Sequence, residues 1–350
     1  MNPVRVLVVD DSAMVRDILS RGLNMTNGIE VVGAASDPYI ARDMIMKLRP
    51  DVLTLDVEMP RMDGLEFLKK LMPQYPLPVV MVSSLTESGS RITFDALAAG
   101  AVDFVCKPAS DIKSGLMGMI NELHDKIKIA SRVDVQGYKN KHINPAVKTV
   151  QKVTGLSHTA NKIIAIGAST GGTEALRKVL MAMPVTAPGI VVVQHMPERF
   201  TKMFADRLDE LSALKVSEAV TGDTVKAGHV LIARGGQHLQ LVRSGAEYKL
   251  ICRDGAKVCG HKPSVDVLFR SVARYVGANA IGVMLTGMGN DGADAMLKMR
   301  EAGARTLAQD KNTSVVFGMP KEAFERGGAE ELVPLEKIPQ HIKRLLEEMN

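Results

Sequence analysis

The chain has 350 residues, enough for two or three domains, and is 46% hydrophobic and 24% charged, an ordinary balance for a globular protein. No stretch approaches the ~18 consecutive apolar residues of a membrane-crossing helix. Met1-Asn2-Pro3-Val4-Arg5 lacks a signal-peptide layout and three cysteines fit a reducing compartment, so the expectation is a cytoplasmic protein without membrane insertion.

The net charge of +5 is uneven: residues 1–130 carry 14 basic and 17 acidic side chains, 131–160 carry 5 and 1, and 161–350 carry 25 and 21. There is no tryptophan and only 4% aromatic residues. Neither a dense basic face nor a base-stacking platform is present, which argues against a nucleic-acid partner.

Residues 1–130 alternate strand and helix. Strands are predicted at Val4–Val9, Glu30–Ala34, Val52–Leu55, Pro78–Val82 and Val102–Cys106, with helices such as Ser12–Met25, Gly64–Leu71 and Asp111–Ala130 between and after them. This rhythm predicts an open (βα)5 parallel sheet covered on both faces, with function at the carboxyl ends of its strands. Asp10 and Asp11 follow the first strand, Asp56 the third, Ser83 and Ser84 the fourth, and Lys107 the fifth. Converging carboxylates repel and call for a hard cation such as Mg²⁺. One carboxylate can then take a phosphoryl group whose oxygens are stabilised by metal, lysine and hydroxyl. A lone Asp at a strand end is more often only a turn residue or a cap.

The segments Asp10-Asp11-Ser12, Leu55-Asp56-Val57-Glu58-Met59-Pro60-Arg61-Met62-Asp63-Gly64, Val82-Ser83-Ser84 and Phe104-Val105-Cys106-Lys107-Pro108 resemble a response-regulator receiver domain across residues 3–125. The resemblance implies Asp56 as phosphoacceptor. It implies Mg²⁺ on Asp11, Asp56 and the Glu58 backbone carbonyl, with Asp10 in the same acidic pocket. It implies phosphoryl contacts from Ser83 and Lys107. Phe104 stands in the place of the family's switch aromatic, or is a core residue of the fifth strand.

Residues 131–160 have no sustained period and read as a flexible, basic linker. Residues 161–350 form a second α/β unit. The apolar run Ile163–Ile166 leads into Gly167-Ala168-Ser169-Thr170-Gly171-Gly172, then into a helical stretch Glu174–Met183. Three readings of this turn stand: a nucleophile elbow, a dinucleotide-binding turn with Ser169 where the middle glycine belongs, and an ordinary tight βα turn. A Walker-type loop is excluded, because no Lys-Ser/Thr pair closes it.

Further on, Gly189–Val193 is predicted as a strand ended by Gln194-His195-Met196-Pro197, followed by a helix Arg199–Leu211. Ser217–Arg253 is predicted as antiparallel hairpins. A helix is expected at Val265–Val276 and a strand at Ala280–Leu285 ending in Thr286-Gly287-Met288-Gly289-Asn290-Asp291-Gly292. Short strands are expected within 305–333 and a closing helix at Pro339–Met349. A doubly wound sheet with an antiparallel hairpin region results. Ser169, His195 and Asp291 would each follow a parallel strand, and so share one sheet edge. Nucleophile, base and orienter are the three roles that acyl transfer by serine requires. His229, His238 and His261 are rivals for the base; none follows a predicted parallel core strand. Cys252, Cys259 and His261 lie close together, but at no zinc spacing.

The segments Ile166-Gly167-Ala168-Ser169-Thr170-Gly171-Gly172-Thr173, Gln194-His195-Met196-Pro197, His261-Lys262-Pro263-Ser264-Val265-Asp266, Leu285-Thr286-Gly287-Met288-Gly289-Asn290-Asp291-Gly292 and Val316-Phe317-Gly318-Met319-Pro320 resemble the CheB family of chemotaxis response-regulator protein-glutamate methylesterases. The resemblance implies hydrolysis of glutamate γ-methyl esters on chemoreceptors and deamidation of receptor glutamines. Ser169 would be nucleophile, His195 base and Asp291 its orienter, with Thr170 and the Met288 backbone at the oxyanion and substrate region. No cofactor is implied in the esterase site. The partners implied are a chemotaxis histidine kinase as phosphodonor and methyl-accepting chemoreceptors as substrates. Arg234 stands where the family commonly has proline. The competing function is a phosphorylation-controlled, non-catalytic output module that binds a nucleotide or partner. Two functional edges on one chain also suggest that the unphosphorylated receiver covers the serine edge.

Overall fold

The computed structural model describes residues 2–84, 87–108, 112–139 and 161–349. The chain divides into two compact units, Met1–Pro145 and Ala146–Asn350.

In the first unit the strands are β1 (Val4–Val9), β2 (Ile29–Ala35), β3 (Val52–Asp56), β4 (Val79–Ser83) and β5 (Asp103–Cys106). They alternate with helices α1 (Ala13–Asn24), α2 (Pro38–Leu48), α3 (Gly64–Gln74), α4 (Glu87–Ala98) and α5 (Ile112–Ala130). All strand pairs are parallel, in the order β2-β1-β3-β4-β5. β3 and β4 are buried along their whole length, which is why they read as unbroken apolar runs. Helix starts follow local chemistry. Asp37 accepts from the N–H groups of Tyr39 (2.9 Å) and Ile40 (3.0 Å) ahead of Pro38, and Asp63 accepts from the Glu66 N–H (2.7 Å). Such caps contribute about 1 kcal/mol each. Chain order reverses at β1 and β3, so the crevice past their carboxyl ends is the natural ligand site.

The stretch expected to begin the linker is partly structured. Residues Gln136–Tyr138 form a 3-10 turn, Val135 is buried, and Tyr138 packs against Gly100. The rest of the predicted linker, 140–160, lies outside the described residues.

The second unit holds β6 (Ile163–Ala168), α6 (Gly172–Ala182), β7 (Gly189–Gln194), α7 (Glu198–Leu211), β8 (Lys215–Glu218), β9 (His229–Ile232), β10 (His238–Ser244) and β11 (Glu247–Arg253). It continues with α8 (Val265–Tyr275), β12 (Ala280–Met284), α9 (Ala293–Glu301), β13 (Arg305–Gln309), α10 (Met319–Glu325), β14 (Glu331–Val333) and α11 (Ile338–Glu348). A seven-stranded parallel sheet runs β14-β13-β12-β6-β7-β9-β8. β6, the first strand in sequence, lies between β7 and β12, so chain order reverses beside it. β6, β7 and β12 are buried throughout. Phe200 on α7 and Phe269 on α8 are fully buried, each contributing about 1.5–3 kcal/mol.

The expected run of hairpins over Ser217–Arg253 is corrected by the sheet. β8 and β9 are its parallel edge, and the antiparallel pairing is that of β10 with β11, joined by a single bridge from Thr224 to Lys249. Short β-branched runs between glycines look alike in both settings, because period and composition do not encode strand direction. The hairpin rests on α8, whose Ser271 hydroxyl accepts from the Leu241 N–H (2.9 Å).

Candidate active site and phosphoacceptor site

Ser169 is the first residue past β6. Its N–H donates to the Thr286 carbonyl (3.0 Å), and the Gly172 N–H turns back to the Ser169 carbonyl (2.7 Å). Gly171 takes φ +77°, and a Cβ there would lie 2.6 Å from Val315. The turn therefore needs glycine for backbone conformation and for space. His195 is the first residue past β7, its N–H on the Ala168 carbonyl (3.1 Å). Gln194 ties the two turns together, its Nε2 donating to the carbonyls of Ser169 (2.9 Å) and His195 (3.1 Å). Asp291 lies in the loop between β12 and α9. Three neighbouring strands thus deliver three side chains to one edge.

His195 bridges the other two. Its Nδ1 is 3.2 Å from Ser169 Oγ and its Nε2 is 2.8 Å from Asp291 Oδ2. In the neutral tautomer that suits this arrangement, Nε2–H donates to the carboxylate and Nδ1 accepts the serine proton. Asp291 is buried and surrounded by donors. Ser264 Oγ–H (2.7 Å) and the Asp266 N–H (3.1 Å) reach Oδ1, and the Val265 N–H (2.7 Å) reaches Oδ2. These belong to the N-terminus of α8, where a negative charge is stabilised by up to ~2 kcal/mol. Burial alone would raise the Asp291 carboxyl, but the His195, Ser264 and Val265 contacts outweigh it and hold it below the usual range.

Of the rival histidines, His238 opens β10 and is buried, with Nε2 at the Ala256 carbonyl (2.8 Å), and His229 opens β9. His261 does reach the site, not as a base on Ser169 but as a ring stacked on His195 (centroids 3.7 Å apart, planes 8° apart). Sequence reasoning also passed over Ser264 and Gln194, though Ser264 stands in the N-cap place of a predicted helix. Thr170 is buried, its carbonyl accepting from Thr286 Oγ1 (2.9 Å). Gly287 packs against Ser169, where a Cβ would meet Ser169 Cβ at 2.8 Å. Met288, next along, is exposed.

In the first unit Asp10, Asp11 and Asp56 present carboxylate oxygens that all lie within 4.8 Å of one another. Three hard oxygen donors suit a hard divalent cation. Lys107 Nζ spans Asp10 Oδ2 and Asp56 Oδ2, 2.8 Å from each. Burial pushes the Asp56 carboxyl up to about 6; Lys107 pulls the other way and the Asp10 charge adds to the rise. Gly64 packs on the Asp56 carbonyl, where a Cβ would fall at 2.1 Å. The Glu58 side chain accepts from Ser84 Oγ (3.0 Å) and is exposed. Ser83 is turned to α4: its hydroxyl lies 3.3 Å from the Gly89 carbonyl and accepts from Thr93 Oγ1 (2.8 Å). Phe104 is buried, with Lys126 Nζ 5.2 Å from its ring centre.

The response regulator receiver domain family matches residues 6–116 and the CheB methylesterase family matches residues 164–342. Proteins called protein-glutamate methylesterase/protein-glutamine glutaminase are similar over almost the whole length. That of Syntrophotalea carbinolica is 60% identical, covering 99% of this chain and 98% of its own. That of Geobacter metallireducens is 52% identical (99% and 96%), and that of Salmonella typhimurium 50% (98% and 97%). The crystal structure of the Thermotoga maritima CheB methylesterase catalytic domain is 41% identical, with a TM-score of 0.51 over 53% of this chain and 98% of that one. A receiver fold followed by a serine–histidine–aspartate edge, matched from end to end by such relatives, shows that the chain belongs to the CheB methylesterase family.

Proposed function

We infer that this chain is a phosphorylation-controlled hydrolase that removes γ-methyl esters from glutamates of chemoreceptors and deamidates receptor glutamines. The observation that carries the reading is His195 held between Ser169 Oγ and Asp291 Oδ2. Ser169 Oγ attacks the ester carbonyl as His195 Nδ1 takes its proton, and Asp291 holds the resulting imidazolium. The tetrahedral intermediate expels methanol, which leaves with the proton from Nδ1; from a glutamine the leaving group is ammonia. Water then attacks the Ser169 ester, giving its proton to Nδ1, and glutamate is released as Ser169 recovers its hydrogen. Thr170 and the Met288 backbone line the place where the oxyanion develops, and one well-aimed donor there contributes roughly 3–4 kcal/mol.

In the receiver, Asp56 accepts the phosphoryl group from the chemotaxis histidine kinase. Asp11, Asp56 and the Glu58 carbonyl would hold Mg²⁺, with Asp10 in the same pocket. The ion, when bound, neutralises charge on the phosphoryl oxygens. Lys107 pairs with those oxygens, and Ser83 reaches them after leaving α4. The setting is the cytoplasm, where kinase and receptor signalling ends meet. A nucleotide-binding output module is disfavoured, because Ser169 stands at the glycine position of such a turn and its hydroxyl faces a base.

The test is methanol release from methylated receptor. Ser169→Ala is expected to abolish it with the thermal melt unchanged; wild-type release from that protein would end the triad reading.

A further inference from the structure

Two hydrogen bonds leave the catalytic base incompletely fixed. Both are made at the ring nitrogens, Nδ1 and Nε2, whose lone pair and N–H lie in the imidazole plane. They resist sliding of the ring within its plane but resist tilting about the line between the two nitrogens only weakly. The χ2 torsion of histidine is broad and adds little restraint. Such a tilt leaves Nδ1 in place but swings its in-plane lone pair off the line to the Ser169 proton just as that proton must be received.

The ring of His261 lies face-on to His195, 3.7 Å between centroids with planes 8° from parallel. Its own loop is pinned. The Val258 N–H donates to the His261 carbonyl (3.1 Å) and the His261 N–H to the Val258 carbonyl (2.9 Å). The Gly236 N–H donates to the Lys262 carbonyl (3.3 Å). Three residues beyond His261, Ser264 grips Asp291. One loop therefore touches both the base and its orienter, the first by a ring face and the second by a hydroxyl.

We propose that His261 is a positioning residue for the catalytic base: its ring face sets the plane of His195, acting through shape and not through proton transfer. The proposal rests on the triad reading above. A flat, rigid surface is what the role requires, so another aromatic ring should serve and a non-planar or ringless side chain should not. A second base or a proton relay would need the imidazole nitrogens instead.

The experiment measures kcat and KM for methanol release by the full chain carrying His261→Phe, His261→Leu or His261→Asn, with Ser169→Ala as control and thermal melts for each. The expected result is kcat within about threefold of wild type for Phe and roughly 10- to 100-fold lower for Leu and Asn, with KM within about threefold in all. Wild-type kcat in Leu or Asn would overturn the proposal. So would a Phe variant that folds and yet falls as far as Leu, since then the nitrogens matter and not the face. Methanol release by Ser169→Ala would remove the triad itself, an outcome separate from any ranking of the three His261 variants.

Discussion

Thr93 Oγ1 donates to Ser83 Oγ across 2.8 Å, and both residues are fully buried. Thr93 also reaches the Gly89 carbonyl (2.7 Å), one turn earlier in α4. The hydroxyl assigned to the phosphoryl group is thus held by the helix that neighbours the site. If Ser83 turns toward a phosphorylated Asp56, that link breaks, and phosphorylation would compete with the α4 contact for one oxygen, the kind of two-state element a switch requires.

It follows that Thr93→Val, nearly the same shape without the hydroxyl, should favour the phosphorylated arrangement. A net hydrogen bond is worth about 0.5–1.5 kcal/mol, which corresponds to a gain of roughly 2- to 12-fold in affinity for a phosphoryl mimic such as beryllofluoride. Titration of the receiver with Mg²⁺ and the mimic measures this. Equal or weaker affinity in the variant would mean that Thr93 does not restrain Ser83.

The phosphoacceptor site should make the metal-free protein less stable as pH rises. Asp56 has its carboxyl raised from 3.8 to about 6 in the fold. The folded state therefore holds this proton more tightly than the unfolded chain. The contribution is complete below about pH 4 and is lost as pH climbs to about 6, a change of roughly 3 kcal/mol. Asp56→Asn removes this slope and should leave the protein more stable at neutral pH without metal. Mg²⁺, which favours the ionised carboxylate, should stabilise the wild type most above that window. Urea unfolding of both proteins between pH 4.5 and 7.5 decides it, and parallel curves would refute the raised carboxyl.

Much of both sheets was legible because their central strands are buried on two faces. Val4–Val9 has the predicted bounds, and β3, β4, β6, β7 and β12 differ by only one or two residues at an end. The edge β8–β9 was not legible, since short runs flanked by glycine carry no sign of strand direction. That Ser169, His195 and Asp291 meet could be read from three strand ends that the sheet order makes neighbours. The His261 contact could not. It depends on the path of a loop fixed by Gly236 and Val258, residues distant in kind and without local pattern. Ser83 illustrates a different limit: the sequence marks its strand end, but only the α4 contact shows which way its hydroxyl faces.

Asp291→Asn should be more damaging than loss of charge suggests. Oδ1 accepts from Ser264 Oγ and the Asp266 N–H, and Oδ2 from His195 Nε2 and the Val265 N–H. Every partner is a donor, so an amide NH₂ in either position confronts donors. If it faces His195, the ring is pushed to the tautomer that protonates Nδ1, and the base is lost. The expected fall in kcat is on the order of 10⁴-fold, as for the equivalent change in other triads. A stability loss of about 1–3 kcal/mol should accompany it, from donors left unpaired at the start of α8. Methanol release and a thermal melt on the same sample read both, and a kcat within tenfold of wild type would show that Asp291 does not set the tautomer.

Control by the receiver predicts a difference between the whole chain and its second unit. Residues 146–350 contain the complete Ser169–His195–Asp291 edge and a core of their own. If the unphosphorylated receiver covers that edge, this fragment should release methanol faster than the full chain. A phosphodonor should raise the full chain toward the fragment's rate, and Asp56→Asn should keep it low whatever donor is added. The gain cannot exceed the reciprocal of the uncovered fraction: 99% occlusion allows about 100-fold and 90% about tenfold. Three rates therefore determine the equilibrium, those of the fragment, the full chain and the full chain with phosphodonor. A fragment no faster than the full chain, together with no response to phosphodonor, would mean that the receiver acts by some route other than covering the serine.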